Sequence, residues 1–214
     1  MRHVRGITLL EVMVTVAIIG FMASMAVLSM QGSVDRQREN EATRELWASA
    51  LRARQRAIST NQPVRIVVEN IDQQDGTTRT IARWEQLTCG NTWDNASCPA
   101  MGCENATCRT RPDCCSELGQ DINVPRTMNA TAIHGLCFMP GSGRPVLPDD
   151  LSCMRDSLDD AVALDDVAPG NIRLNFTGER ARSLIMVEPR TGLASVLDCD
   201  SQAAIDRPVA DCAN

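Results

Sequence analysis

From Ile7 to Met30 the chain is apolar almost without interruption, and Glu11 carries the only ionisable side chain in that run. The stretch exceeds the ~20 apolar residues that let a helix cross a bilayer, so it constrains everything attached to it. The leader Met1-Arg2-His3-Val4-Arg5 puts two arginines on its N-terminal side. Basic flanks of that kind stay in the cytoplasm while the C-terminal part is exported. A secretory signal peptide has an apolar region of about 7–15 residues; this run is too long for one, and a carboxylate close to its start would hinder insertion. A carboxylate in a membrane segment costs about 2.5–3.5 kcal/mol at the centre and less near the edge, which marks Glu11 as a functional candidate in need of a partner.

All ten cysteines lie beyond the run: Cys89, Cys98, Cys103, Cys108, Cys114, Cys115, Cys137, Cys153, Cys199 and Cys212. A dense, even set on the exported side predicts disulfides in an oxidising compartment. Structural zinc would need an interval such as Cys-x2-Cys; Cys98-x4-Cys103-x4-Cys108 does not supply it, and His3 and His134 are the only histidines. No metal site is expected. The first six cysteines allow many pairings, and the sequence does not choose among them. Cys137 and Cys153 flank part of one loop and form an expected pair, and Cys199 with Cys212 would pin the C-terminal tail. The net charge is −6, with every basic residue an arginine. That balance opposes non-specific nucleic-acid binding, which depends on clustered positive charge.

Between Gln31 and Thr60 glycine occurs only at Gly32 and proline is absent, so the helix is expected to continue to Thr60 and to end at Asn61-Gln62-Pro63. Leu46, Trp47, Ala50, Leu51, Ala57 and Ile58 fall near one face, whereas Arg44, Arg52 and Arg56 fall largely on another. The amphipathic half, 31–62, should therefore lie on a globular head, with Arg52, Arg54 and Arg56 solvated. At ~1.5 Å per residue the whole rod would be about 80 Å long. After Pro63, strands at Val64–Val68 and Thr77–Leu87 join through a turn at Asp75-Gly76. Residues 89–120 lack periodicity and read as a disulfide-stapled excursion that interrupts the sheet. Strand character resumes over 131–139. The loop 140–170 carries Asp149, Asp150, Asp156, Asp159, Asp160, Asp165 and Asp166 but no calcium-binding register, and reads as solvated. Three strands close the head, at 171–177, 182–188 and 192–197. The expected fold is α+β: one long helix on an antiparallel β head, 63–214.

The sequence Arg5-Gly6-Ile7-Thr8-Leu9-Leu10-Glu11-Val12 ahead of an apolar helix closely resembles the class III signal of type IV pilins and pseudopilins. The resemblance implies that prepilin peptidase cuts after Gly6, removing the leader 1–6, and methylates the new N-terminus at Ile7. The helix 7–30 is then kept for membrane residence and polymerisation. Most members have phenylalanine where this chain has Ile7. Glu11 matches the family's acidic residue. A free amine and a carboxylate are each costly in apolar surroundings and much less so together, so Glu11 of one subunit is expected to neutralise Ile7 of its neighbour. The stretch from Arg52 to Ile66 and its hairpin are similar to the GspH/FimT branch, which supplies minor pilins and pseudopilins.

A structural role follows from that resemblance: a minor subunit that primes or caps a type IV pilus in a tip complex, touching the major pilin and other minor pilins. A minor pseudopilin of type II secretion would share these features. The precursor is expected in the bacterial inner membrane with its N-terminus cytoplasmic and its head periplasmic. The mature subunit would sit in an extracellular pilus or a periplasmic pseudopilus. Some relatives bind DNA through arginines of the head, for which Arg180 and Arg182 are the candidates, with Glu179 and the acidic balance against them. No phosphate-cradling loop, dinucleotide signature or activated nucleophile is legible, so neither an enzyme nor a cofactor is expected.

Overall fold

The computed structural model describes residues 8–89, 100, 102–103, 105–146, 151, 153, 172–188, 190–200 and 212, with backbone alone at 25–31 and 172. One helix, α1, spans Leu9–Thr60. Thr8 caps it by accepting the Glu11 N–H at 3.3 Å, and Glu11 places a negative charge in the first turn, where the helix dipole favours it. At the far end Asn61 turns left-handed, with φ of 51°, and the Gly141 N–H takes the Ala57 carbonyl at 3.2 Å.

The two halves of α1 differ in what they touch. From Leu9 to Met22 the apolar side chains are exposed all round, from 49% at Val12 to 81% at Leu9. A helix apolar on every side needs apolar surroundings beyond its own chain. Among the described residues no helix is long and apolar enough to cross a membrane; the described side chains stop at Ser24 and resume at Gly32. Further on, Ala42, Leu46, Ala50, Ala53 and Ala57 form the buried stripe. The expected face was drawn too wide, because Leu51 and Ile58 remain 39% exposed. Small side chains let the sheets approach the helix, and the larger residues flank the contact. Trp47 packs on the rim of the core.

Two antiparallel sheets cover this stripe. In the first, β1 (Val64–Asp72) pairs with β2 (Thr78–Leu87) in continuous register from Val64↔Gln86 to Asp72↔Thr78. Alternation sends Val64 and Ile66 of β1 and Ala82 of β2 to the helix, while Arg65, Arg83 and Glu85 project from the other face. The outer edge of β2 is covered by β3 (Cys115–Leu118) and β4 (Ile122–Val124). The end of the expected excursion thus belongs to the sheet.

In the second sheet, β5 (Met128–Asn129) pairs with β8 (Ile172–Gly178), followed by β9 (Arg182–Val187) and β10 (Ala194–Asp198). These last three strands lie close to their expected bounds. The strand expected over 131–139 is mostly not one: Thr131–Ile133 is a 3-10 turn, and only β6 (Cys137–Phe138) pairs, with β1 and with β7 (Pro145–Val146). Gly135, at φ of 83°, turns the chain between them.

Candidate functional site

The processing residues Gly6 and Ile7 lie outside the described residues. Glu11 sits in the first turn of α1 with its side chain exposed, and among the described residues its carboxylate meets no cation. The apolar, unpacked part of α1 and the head-bearing part are one continuous helix.

Where the head meets the lower part of its helix, one carboxylate fixes the geometry. Glu39 is 1% exposed, and its Oε2 accepts the backbone N–H groups of Arg180 at 3.0 Å and Ala181 at 2.6 Å. Gly178 is required there, since a Cβ would collide with that carboxylate. The β8–β9 turn is thereby held against α1. The two arginines of this turn then diverge. Arg182 donates from Nε and Nη2 to Asp200 at 3.3 and 3.2 Å, and its backbone N–H reaches the same carboxylate at 2.8 Å. Arg180 has no ion-pair partner among the described residues; its guanidinium lies over Gly32, with Cζ 3.8 Å from where a Cβ would stand. Arg36 approaches Asp198 at 3.9 Å.

The outer face of the first sheet carries a chain of alternating charges that sequence reasoning missed. Arg65 and Glu85 are cross-strand partners with fully buried side chains, and Arg65 donates from Nε and Nη2 to Glu85 Oε2 at 3.1 and 2.9 Å. Arg83 gives Nε and Nη2 to Glu85 Oε1 at 3.1 and 2.8 Å and pairs with Glu69 at 2.7 Å. Arg109 closes the chain by bridging Glu69 at 2.7 Å and Asp121 at 3.1 Å. Burial pulls the Arg65 guanidinium below its ordinary value, against the opposing charge of Glu85. The signal was present: alternation puts Arg65, Arg83 and Glu85 on one face, and the register counted back from Asp75-Gly76 sets Arg65 opposite Glu85.

The cysteine-rich insertion closes over this cluster. Cys103 joins Cys114 and Cys108 joins Cys115. The Cys108 N–H donates to Glu85 Oε1 at 3.0 Å, and Arg65 reaches the carbonyls of Ala106 and, at 2.8 Å, Leu151. Cys137 joins Cys153 and Cys199 joins Cys212, as expected from the sequence. Cys89 is also disulfide-bonded, while Cys98 and the acidic run from Asp156 to Asp166 lie outside the described residues. Glu85, Cys108 and Cys115 are close enough to hold a metal, but the two sulfurs are joined to each other and the carboxylate is held by two guanidinium groups. That grouping offers no free ligand.

Arg54 and Arg56 remain partly exposed, as a solvated face would have them, but each also has a remote partner. Arg54 donates to the Thr191 carbonyl at 2.8 Å, and Arg56 pairs with Glu117 of β3. His134 accepts the Val68 N–H at Nδ1, 2.9 Å away, and so completes the edge of β1 beyond β6.

A long helix carried onto antiparallel sheets is consistent with a pilin fold. Residues 1–27 match the prokaryotic N-terminal methylation motif. The match supports a type IV pilin or pseudopilin, a structural subunit rather than an enzyme, processed by prepilin peptidase and assembled with other pilins. Comparison with curated proteins and with solved structures gave no match.

Proposed function

We propose that the chain is a minor subunit of a type IV pilus or related pseudopilus, of the GspH/FimT kind, that helps prime or cap the filament within a tip complex. The supporting observation is the methylation motif at the head of a helix whose first part is apolar and exposed on all sides and whose second part bears the head. The precursor is held in the inner membrane by residues 7–30, and cleavage after Gly6 frees the amine of Ile7 to meet Glu11 of a neighbour. The disulfide-bound layer supports the minor role, because such bulk on the sheet's outer face would burden a subunit packed on all sides. The Arg182–Asp200 pair weakens the DNA-binding alternative by neutralising one of its two candidates. Deletion should impair filament assembly, and labelled protein should appear only at filament ends. Uniform labelling along the shaft would overturn the minor assignment.

A further inference from the structure

We propose that Arg180 is a phosphate contact at the membrane end of the head, made to the lipid headgroups of the bilayer that holds the precursor. The inference rests on the reading of residues 7–30 as the membrane helix. The turn that carries Arg180 reaches down α1 as far as Gly32, just beyond Met30, where the apolar run ends. From Met30 to Gly32 the helix rises ~3 Å. A bilayer ~30 Å thick in hydrocarbon is ~40–45 Å thick with its headgroups, which leaves a polar layer of roughly 5–7 Å on each side. The guanidinium therefore lies inside the headgroup layer.

Three features suit it to that place. Arg180 has no carboxylate partner among the described residues, whereas Arg36 faces Asp198 and Arg182 is held by Asp200. Its guanidinium lies over the bare backbone of Gly32, with Cζ 3.8 Å and Nε 4.0 Å from where a Cβ would stand, and the residue is exposed, so the planar donor fork can meet a phosphate. Its backbone N–H is fixed on buried Glu39, so the arginine is positioned before any lipid arrives. A lipid phosphate fits better than a nucleic-acid phosphate, because a duplex cannot approach a group flush with the membrane.

The test uses the full chain in nanodiscs with and without phosphatidylglycerol, a fluorescent amino acid at the exposed position 179 and a headgroup-labelled quencher lipid. Quenching should be present in the parent protein and rise with anionic lipid. Arg180→Gln should cut the lipid-contacting population about fivefold, the factor that roughly 1 kcal/mol per basic residue near an anionic surface corresponds to. Arg180→Lys should keep most of it, and Gly32→Leu, which crowds the space under the guanidinium, should behave like Arg180→Gln. Equal quenching in the parent and Arg180→Gln proteins overturns the proposal. So does salt-sensitive duplex DNA binding by the detergent-solubilised chain that is lost in Arg180→Gln without headgroup quenching, which would assign the arginine to nucleic acid. Co-flotation with vesicles is scored separately: a chain that fails to co-float sinks the membrane reading itself, and one that co-floats with quenching indifferent to Arg180 sinks this contact alone.

Discussion

At Val68 the edge of β1 is completed by a side chain rather than a strand, and that choice makes the head sensitive to acid. Burial and then the nearby Arg65 charge push the His134 imidazole below its ordinary value, with Glu85 and Glu69 opposing. The Val68 N–H can donate to Nδ1 only while that nitrogen keeps its lone pair. The folded state thus binds this proton less readily than the unfolded chain. The stabilisation is complete above the ordinary value of about 6.5 and is lost as pH falls through it toward the lower folded value, by at most ~1.4 kcal/mol per pH unit. Glu69 does not intrude on this window: hydrogen bonds from Arg109 and the Arg83 charge outweigh its burial and hold its carboxyl below the usual range. Thermal unfolding between pH 5 and 8 should therefore show a decline in the acidic half that His134→Asn flattens, since an amide oxygen can take the acceptor position of Nδ1 without titrating. An unchanged slope in that variant would refute the role given to His134.

Among the elements, the insertion is the one whose role depends most on chemistry outside itself. It forms a third layer, on the face of β1 and β2 opposite α1, and is attached through Glu85, which receives Arg65, Arg83 and the Cys108 N–H together. Removing that carboxylate would leave the buried Arg65 guanidinium with no opposing charge, while Arg83 would keep Glu69. Glu85→Ala should cost roughly 3–5 kcal/mol, while replacing Arg65, Arg83 and Glu85 together by apolar residues of similar size should cost far less. Chemical unfolding of the detergent-solubilised chain compares them; a loss below ~1 kcal/mol for Glu85→Ala would mean the cluster is hydrated and carries little. The helix, the first hairpin and the three closing strands were legible because each repeats one period long enough to read, and each closes on a local turn. The 131–139 segment misled because Thr131, Ile133 and Phe138 have strand propensity, while Gly135 turns the chain and the His134 side chain takes the hydrogen bond a strand would have made. Long-range partners hid the roles of Arg54 and Arg56, since Thr191 and Glu117 are remote in sequence. Pairing within the insertion was equally hidden, because disulfide connectivity depends on the fold around it.

For the whole molecule, the question is what one residue near the start of a helix of 52 residues can do for an assembly. To its place in the first turn the proposed function adds a second task for Glu11. Within the chain it favours the first turn, where its N–H is capped by Thr8 and its charge meets the helix dipole, an effect of about 0.3–1 kcal/mol. Between chains it would neutralise the amine of Ile7 in apolar surroundings, where an unpaired charge costs several times more. The larger effect belongs to assembly, so Glu11→Ala should leave membrane insertion, cleavage after Gly6 and the disulfides intact. Incorporation into filaments should fall about tenfold or more, which corresponds to at least ~1.4 kcal/mol. Glu11→Asp, which keeps the charge, should recover part of the loss, whereas Glu11→Gln, which keeps the size, should not. The measurement is the ratio of filament-bound to membrane-bound protein, with cleavage followed by mass and helicity by circular dichroism. Normal incorporation of Glu11→Ala, or rescue by Gln as good as by Asp, would remove the amine–carboxylate pair from the account and leave Glu11 only as a first-turn charge that favours the helix dipole.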